Sequence, residues 1–373
     1  MSRLEELIEK LCPEGVEYKT IADVCDISRG QVISKDYIRD NVGDYPVYSS
    51  QTENNGELGK ISTYMFDGEY LTWTTDGANA GTVFYRNGKF SVTNVCGLLK
   101  VKTDDLITSF LYYALSIEAH KHVNSGMGNP KLMSNVMCRI KIPVPPLEVQ
   151  SEIVRILDNF TELTAELTAE LTVRKKQYEY YRDELFSNAS NTILTTLDKI
   201  AENCDSQRKP VTSGNREAGS IPYYGASGIV DYVKDYIFDG DYLLVSEDGA
   251  NLLARSTPIA FSITGKTWVN NHAHVLKFDE YATRRYVEIY LNSIDLSYYI
   301  TGGAQPKLNQ KNLNKIEIPL PPLEEQQRIV DILDMFDKLC NDISEGLPAE
   351  IDARQKQYEY YRDKLLTFKE KAV

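Results

Sequence analysis

Two pairs of histidines are the residues of this chain whose spacing best suits metal chemistry. His120 and His122 form one pair, and His272 and His274 form the other. On a strand, a spacing of two places both rings on one face, as a metal site requires. The pairs fall at different places in the chain's repeat, and neither has an evident third ligand. Structural histidines are therefore the favoured interpretation, and no metal is predicted.

Motifs that bind cofactors or carry out catalysis are missing from the rest of the sequence. There is no GxxxxGK[ST] phosphate loop, no GxGxxG after a strand, and no [DN]PP[FY] motif for methylation of an amino group. Carboxylates are plentiful, but no pair of them is marked out for acid–base work. The sequence therefore predicts a non-catalytic chain that has no cofactor of its own.

The elements that position the polar residues occur twice. The motif PPLE stands at 145–148 and again at 321–324, an offset of 176 residues. The motif QYEYYRD stands at 177–183 and again at 357–363, an offset of 180 residues. Matches of this length at corresponding places are far beyond chance, so the chain is an internal duplication.

Each copy predicts a long helix of coiled-coil character. Paired prolines suit a helix start, and apolar residues follow at alternating steps of four and three, from Ile153 in one copy and from Ile329 in the other. About 40 residues give a helix roughly 60 Å long. The arginines Arg174 and Arg354 fall on the stripe and are interpreted as register-setting, with snorkelling at its edge as the alternative.

The second copy contains four extra residues. They appear as one additional step of four, from Leu347 to Ile351, which is a stutter. The neighbouring sequence Gly346-Leu347-Pro348 predicts a kink or a local opening of the helix there.

The segment before each helix shares a frame with its counterpart. Phe-Asp-Gly recurs at 66–68 and 238–240, Asp-Gly-Ala-Asn at 76–79 and 248–251, and Pro-Lys-Leu at 130–132 and 306–308. Short β-rich runs alternate with Gly and Asn turns, and one helix follows in each. The predicted fold is α+β: two α/β domains with mixed sheets, joined by two long helices that are partners in one coiled coil.

Composition narrows the class of protein. The 373 residues have a net charge of −13, which at first argues against nucleic acid, but each helical segment accounts for −4 of it. There is no apolar run of membrane-spanning length and no secretory start, and the six cysteines show no CxxC pairing. A cytoplasmic location without membrane contact is expected.

This order of segments resembles the specificity subunit of type I restriction–modification systems. The resemblance covers the whole chain and is carried by the helix start PPLExQ, the helix end QYEYYRD, and their double occurrence. It implies two target-recognition domains, each reading one half of a split double-stranded DNA site. It also implies that the two coiled-coil helices pack antiparallel as a spacer, related by a pseudo-twofold repeat. The same resemblance implies that these helices dock two modification subunits, which use S-adenosylmethionine to methylate adenine, and that restriction subunits can join them.

The expected segments have the following boundaries: a first recognition domain at 1–145, a central spacer helix at 146–190, a second recognition domain at 191–321 and a C-terminal spacer helix at 322–373. Because the two domains differ in sequence, the two half-sites should differ as well. Half-sites read in this way have centres about 34 Å apart, which a rod of roughly 60 Å can span.

Candidate DNA contacts are polar residues in the divergent loops near the shared frame. Arg and Lys suit guanine edges or phosphates, and Asn and Gln suit adenine. The family supplies no fixed reading residues, so these candidates follow from residue type and place. In the first domain they are Arg29, Gln31, Lys35, Ser49, Ser50, Gln51, Asn79, Arg86, Lys131, Ser134 and Asn135. In the second they are Gln207, Arg208, Lys209, Ser227, Asn251, Arg255, Lys307, Asn309, Gln310 and Lys311.

Partner contacts are expected on the helices. Tyr180 and Tyr360 fall off the apolar stripe and are the candidate partner-binding residues. Two other functions compete with DNA recognition. In one, the chain is a protein scaffold whose helices dimerise and whose domains bind proteins. In the other, it is a nuclease that acts alone, which the missing motifs disfavour.

Overall fold

The computed structural model describes residues 3–302 and 305–372. The first two residues and the last one, at the outer ends of the predicted segments, lie outside this range. The chain divides into two compact units, one of Met1–Thr168 with Glu350–Val373 and the other of Ala169–Ala349. Each unit combines one globular segment with parts of both helical segments. The four boundaries expected from the sequence remain predictions.

The first 187 residues contain six helices and eight strands among those described. The helices are α1 (Arg3–Leu11), α2 (Ile21–Val24), α3 (Lys35–Asp40), α4 (Thr108–Lys121), α5 (Ser134–Met137) and α6 (Leu147–Ser187). The strands are β1 (Glu17–Thr20), β2 (Cys25–Arg29), β3 (Val42–Tyr48), β4 (Glu57–Ile61), β5 (Phe66–Thr74), β6 (Val83–Val92), β7 (Cys96–Val101) and β8 (Lys141–Val144).

The rest of the described chain repeats this plan with ten strands and six α-helices. Its strands are β9 (Ile193–Thr196), β10 (Glu202–Asn203), β11 (Ala218–Gly225), β12 (Gly228–Val233), β13 (Phe238–Asp239), β14 (Tyr242–Ser246), β15 (Ala260–Ile263), β16 (Lys266–Val269), β17 (Ala273–Lys277) and β18 (Glu317–Leu320). Its helices are α7 (Leu197–Ile200), α8 (Asn251–Ala254), α9 (Tyr281–Ser293), α10 (Gln310–Leu313), α11 (Leu323–Asn341) and α12 (Leu347–Leu365).

The first unit contains a six-stranded sheet in the order β2-β7-β5-β6-β3-β4. Its pairs are antiparallel except β3 with β6, where Val47 lies opposite Ser91 in a parallel ladder. Strands β1 and β8 form a separate, two-stranded antiparallel sheet. Trp73 on β5 and Phe110 on α4 are fully buried in its core. The predicted mixed sheet is therefore confirmed.

The second unit divides the corresponding strands between two four-stranded sheets, β10-β17-β14-β15 and β12-β11-β16-β13, with β18 and β9 as a separate pair. One parallel pair recurs here, because Tyr223 on β11 lies opposite Trp268 on β16. Leu243 and Val245 on β14 and Tyr286 on α9 are fully buried. The repeat in the sequence is thus a repeat of topology.

A buried glutamine explains the spacing in PPLExQ. The Gln150 side chain donates to the carbonyl of Pro145 at 2.7 Å, and Gln326 donates to that of Pro321 at 2.7 Å. Gln150 also accepts from the backbone of Ile107 at 2.9 Å, just before α4. These bonds satisfy buried backbone groups and fasten the long helix to the globular part beside it.

Each unit contains an antiparallel pair of helices. In the first unit, the start of α6 and the end of α12 share one core. In the second unit, the end of α6 and the start of α11 share one core. Phe160 stacks on Tyr361 with ring centroids 5.6 Å apart, and the corresponding Phe336 meets Tyr181 at 5.6 Å. The predicted antiparallel coiled-coil helices are confirmed within each unit.

The two arginines of the stripe bond along their own helix. Arg174 donates to Glu170 at 3.2 Å and to Gln177 at 3.1 Å. Arg354 donates to Glu350 at 2.8 Å and to Gln357 at 3.0 Å, the same pattern in the other copy. This own-helix pairing favours the edge-of-seam alternative over a register-setting contact. No helix of the described chain has the length and apolar content needed to cross a membrane.

The C-terminal spacer helix is broken in two, where the sequence predicted a kink or opening. The five residues between α11 and α12 form a turn in which Asp342 accepts from the backbone of Ser344 at 2.7 Å. Ile343, expected on the apolar stripe, is 87% exposed in this turn, so that assignment was wrong. A Cβ added to Gly346 would lie 2.6 Å from the carbonyl oxygen of Lys338, so only glycine fits.

Replacing Gly346 with alanine should destabilise the second unit, because the new Cβ must displace backbone carbonyls at the end of α11. A loss of about 1–3 kcal/mol in the free energy of unfolding is expected. Gly214→Ala is the matched control, since nothing lies within 4 Å of a Cβ at that position. Denaturant unfolding followed by circular dichroism measures both variants, and equal stability of the two would contradict this explanation of the break.

Candidate nucleic-acid interface

Several loops of the first domain meet at one edge of its six-stranded sheet. The hydroxyl of Ser50 donates to the carbonyl of Val95, and Asn79 donates its amide to the hydroxyl of Thr52 at 2.9 Å. These bonds join the loops that follow β3, β5 and β6. We call this edge the first loop edge, formed by residues 49–56, 75–82, 93–95 and 124–132.

Lys131 belongs to the same edge. Its backbone exchanges two hydrogen bonds of 2.9 Å with Asn124, and it forms a bridge with Asp76. The backbone of Gly77 donates to Pro130 at 3.1 Å. The first loop edge therefore brings together five of the residues predicted from sequence, namely Ser49, Ser50, Gln51, Asn79 and Lys131.

Other candidates of the first domain lie beside this edge or away from it. Gln31 forms a backbone bridge with Thr93, which bonds Ser49, so Gln31 joins the edge. Arg29 donates to Ser134 at 3.2 Å, and the two form a separate exposed pair. Lys35 begins α3 and Asn135 lies in α5; both are exposed. Nothing described links these two to the edge.

Arg86 lies beneath the edge. Its side chain is buried, its guanidinium lies 3.6 Å from the ring centre of Tyr48, and it donates to the carbonyl of Asn55 at 2.8 Å. Burial lowers the pKa of Arg86. Instead of facing solvent, as the sequence suggested, the arginine supports the loop that carries Gln51.

The second domain builds a corresponding edge, which we call the second loop edge, from residues 205–209, 225–228, 247–251, 271–273 and 305–311. The backbone of Gly249 donates to Pro306 at 3.1 Å, as Gly77 does to Pro130. Lys307 exchanges backbone bonds of 2.7 and 2.8 Å with Thr301. The Ser246 hydroxyl donates to the carbonyl of Ala226, which places Ser227 at this edge.

Four more candidates are exposed at the second loop edge. Gln310 and Lys311 lie on the short helix α10, and Gln207 and Lys209 lie on the loop of residues 205–209. The helix is capped by Asn309, whose side chain accepts from the backbone of Asn312 at 3.0 Å. Asn251 is half-buried, and its amide donates to the carbonyl of Thr257 at 2.9 Å and closes its own loop.

Two arginines of the second domain have structural partners. Arg208 forms ion pairs with Glu247 at 2.6 Å and with Asp205 at 3.3 Å, and its side chain is only 13% exposed. Arg255 donates to the carbonyls of Leu291 and Ile294, and burial lowers its pKa. Sequence reasoning placed both among solvent-facing DNA candidates. Their residue types alone could not reveal these partners.

The structure adds two features that sequence reasoning missed. The side chain of Tyr298 is 92% exposed shortly before the strand-like pairing of Thr301. His272 contacts the carboxylate of Asp248 at 2.9 Å in the second loop edge. The available signals were the Tyr298-Tyr299 pair and the spacing of His272 and His274.

The two candidate partner-binding tyrosines are both strongly exposed. Tyr180 is 61% exposed and Tyr360 is 62% exposed. Each packs edge-on against the next tyrosine, with ring centroids 5.4 Å apart for Tyr180 with Tyr181 and 5.3 Å for Tyr360 with Tyr361. Tyr181 and Tyr361 contact the paired helix, whereas Tyr180 and Tyr360 present an aromatic face to solvent.

Comparison with known proteins agrees with this duplicated plan. The family model for the type I restriction modification DNA specificity domain matches residues 13–173 and again residues 194–353. The chain belongs to the family of type I specificity subunits. Members of this family are non-catalytic components of restriction–modification complexes, which agrees with the prediction of a non-catalytic chain.

Relatives support this membership along nearly the whole chain. A putative type I specificity subunit of Mycoplasma pneumoniae is 34% identical over 354 residues, covering 92% of this chain and 96% of the relative. Another from the same organism is 33% identical and covers 83% of this chain and 97% of its own length. The type I restriction enzyme MpnII specificity subunit is 45% identical over 204 residues, covering 52% of this chain and 62% of that subunit.

Solved structures show the same fold. The S subunit of a type I restriction–modification system from M. genitalium superposes with a TM-score of 0.62 at 16% identity, covering 94% of this chain and 96% of that one. A chain from a structure on complex assembly and conformational transition of the type I system gives 0.62 at 14% identity and covers 95% and 98%. At this identity the comparison establishes fold alone.

Among the residues that the structure describes, Asp205, Glu247 and His274 form a group of side chains whose spacing could hold a metal ion. Their nearest ligand atoms lie within 4.8 Å of one another. The ring of His274 contacts Asp205 at 2.6 Å through Nδ1 and the carbonyl of Leu308 at 2.7 Å through Nε2. Both ring nitrogens therefore face protein acceptors.

Protein cations balance the two carboxylates of this set. Arg208 pairs with both Asp205 and Glu247, and Lys307 lies 3.0 Å from Glu247. The arrangement is an ion network in which the charges of Arg208 and the half-exposed Lys307 balance those of the two carboxylates. His272 of the same pair points elsewhere, to Asp248, so the two histidines do not converge on one site.

The network shifts the acidity of its carboxylates. Burial works to raise the pKa of Asp205, but the hydrogen bond to His274 and its charge outweigh burial, and the pKa lies below its usual value. Burial also works to raise the pKa of Glu247, and the bonds from Arg208 and Lys307 bring it below the usual value. A carboxylate with a depressed pKa stabilises the fold above its unfolded pKa, near 4.

The second unit should therefore lose stability as the pH falls below about 4, through the depressed pKa values of Asp205 and Glu247. Asp205→Asn should lower stability at pH 7 and flatten this acid dependence, because one of the two titrating groups is gone. Denaturant unfolding of the full chain between pH 7 and pH 2 measures the slope. Asp26→Asn, at an exposed aspartate of the first domain, is the control, and an unchanged slope in Asp205→Asn would disprove the assignment.

Proposed function

We propose that this specificity subunit reads a split, asymmetric double-stranded DNA target. One half-site is read by the first loop edge and the other by the second. The observation that carries the proposal is the duplication itself: two similar frames present different side chains at equivalent edges. Thr75 stands where the second domain has Glu247, for example, and the hairpin carrying Ser227 has a longer counterpart at residues 49–56.

The polar character of both edges supports this proposal. Both edges present exposed side chains that can donate hydrogen bonds to base edges and phosphates. They are Gln31 and Lys131 on the first edge, and Lys209, Gln310 and Lys311 on the second. The chain's net charge of −13 limits the affinity that one subunit can reach alone. Additional phosphate contacts from partner subunits fit this charge.

We infer that the partners are two DNA-adenine methyltransferase subunits that use S-adenosylmethionine, one at each repeat of the helical motif, with restriction subunits as a further layer. The support is the symmetry of Tyr180 and Tyr360, which present equally exposed rings next to the same tyrosine. Exposed aromatic side chains are favoured anchors at protein interfaces. A complex that modifies the cell's own DNA would work in the cytoplasm.

Co-expression of this chain with its modification subunit, followed by mapping of methylated adenines, tests the function directly. The expected motif has two different half-sites separated by unread bases. Absence of a methylated motif, combined with DNA binding that does not depend on salt, would support the protein scaffold instead.

Lys131→Ala should weaken DNA binding of the assembled complex and make the dependence of affinity on salt shallower. Removing one phosphate contact lowers the slope of log affinity against log salt by about 1. Fluorescence anisotropy with a duplex carrying the mapped motif, at several salt concentrations, measures this slope. Lys60→Ala, an exposed lysine on β4 outside the loop edge, is the control. Identical slopes for the two variants would remove Lys131 from the interface.

The double variant Tyr180→Ala with Tyr360→Ala should weaken binding of the modification subunits while leaving the methylated motif unchanged. Loss of two interface anchors commonly costs 2 kcal/mol or more, which corresponds to roughly 30-fold in affinity. Pull-down titration and methylation mapping provide the two readouts. Tyr37→Ala, an exposed tyrosine on α3, serves as the control. An altered motif in the double variant would count against a role confined to partner binding.

A further inference from the structure

The Pro-Lys-Leu segments, at 130–132 and 306–308, are held by the same backbone bonds in both domains. Each leucine N–H donates to the residue before the Asp-Gly turn, at 2.9 Å from Leu132 to Thr75 and at 2.7 Å from Leu308 to Glu247. The lysine of each segment exchanges bonds with Asn124 or Thr301, as described above. One group is left over in each, the carbonyl of a fully buried leucine.

The two domains satisfy this leftover carbonyl with different side chains from different strands. In the first domain, the indole N–H of Trp73 on β5 donates to Leu132 at 2.9 Å. In the second, Nε2 of His274 on β17 contacts the carbonyl of Leu308 at 2.7 Å. Buried carbonyls require a donor, so each ring holds the end of a segment that carries an exposed lysine.

The exchange involves a matched pair of positions on neighbouring strands. Trp73 lies opposite Gly97 across the ladder of β5 and β7. In the second domain, Val245 lies opposite His274 across β14 and β17. A Cβ on Gly97 would lie 2.3 Å from the ring of Trp73, so the large ring requires a glycine opposite it. The second domain reverses the arrangement, with a small residue on β14 and the ring on β17.

The imidazole has a second polar atom that the indole lacks, and it contacts another loop. Nδ1 of His274 lies 2.6 Å from Asp205, whose other oxygen accepts from the backbone of Val275 at 2.9 Å. Asp205 begins the loop that carries Gln207 and Lys209. In the first domain, the register of β2 places the exposed Arg29 opposite Gly97, the position that corresponds to His274.

We infer that Trp73 and His274 are positioning residues for the two Pro-Lys-Leu segments, and that His274 alone also couples its segment to a second loop. In the second domain, residues 305–312 and 203–209 therefore form one mechanical unit through the chain Asp205, His274 and Leu308. In the first domain, the indole of Trp73 has no second polar atom, and residues 130–137 and 25–31 are joined instead by the exposed bond of Arg29 to Ser134 at 3.2 Å. Describing these segments as DNA-reading rests on the proposed function, whereas the coupling does not.

The charged groups around His274 keep the coupling in place. Asp205 contacts the ring directly, Glu247 lies 3.9 Å from Nδ1, Arg208 pairs with both carboxylates, and Lys307 pairs with Glu247. Lys307 of the Pro-Lys-Leu segment thus belongs to the same ion network as His274 and Asp205. The first domain has Thr75 in place of Glu247, so this charge network is not repeated there, and the exposed Arg29–Ser134 bond joins its two segments.

Hydrogen exchange of the full chain without DNA, read by mass spectrometry, tests this inference. His274→Phe keeps a ring but removes both polar atoms, and should speed exchange about ten-fold in both 305–312 and 203–209. Trp73→Phe removes the indole N–H, and should speed exchange in 130–137 while leaving 25–31 unchanged. His274→Gln, which can serve one partner at a time, should loosen one of the two segments and covers the case in which the phenylalanine variant fails to fold.

The decisive variant gives the second domain the side chains of the first, with tryptophan on β14 and glycine opposite it on β17. Val245→Trp combined with His274→Gly should restore slow exchange in 305–312, because the new indole reaches the carbonyl of Leu308, but should leave 203–209 loose. The inference is overturned if the histidine variants leave both segments protected, if Trp73→Phe also loosens 25–31, or if a folded double variant fails to protect 305–312. None of these results bears on whether the chain reads DNA, which methylation mapping decides separately.

Discussion

Burial of one apolar stripe along α6 is the constraint on which both units depend. This helix has 41 residues. Most of the stability of a helix in a protein comes from packing of its apolar face rather than from local helix propensity. Its first half packs on α12 in one unit, and its second half packs on α11 in the other. Because burial of apolar area supplies most of the stabilisation of a helix pair, each unit depends on helical segments from both copies of the repeat.

The attachment of each domain to its helix is polar and directional, in contrast to the stripe. Gln150 and Gln326 are buried, and each satisfies a prolyl carbonyl at the helix start. Hydrogen bonds of this kind contribute modest net free energy, but leaving their partners unpaired is costly. They therefore fix the geometry of attachment, while the stripe supplies the stability. That combination allows two domains of different surface to be presented on the same support.

The two domains differ at positions where their shared strand pairing accepts different side chains. The ladder of the central strands accepts a large ring on either strand, provided that the opposite residue is small, as Trp73 with Gly97 and Val245 with His274 illustrate. Around the second of these pairs, an ion network replaces the neutral surroundings of the first. Loops of different sequence can thus be held by the same backbone scheme through different side chains.

Periodicity and repetition in the sequence determined the duplicated order of domains and helices, because a matched motif and an apolar stripe are local features of a chain. The same local signals placed the break of the C-terminal helix near Gly346. The sequence also indicated which loops carry the candidate residues. Only the tertiary structure decided that Arg86, Arg208 and Arg255 support loops from within, since the burial of an arginine depends on partners distant in the chain. For the same reason it alone showed His274 bonded to Asp205, 69 residues away.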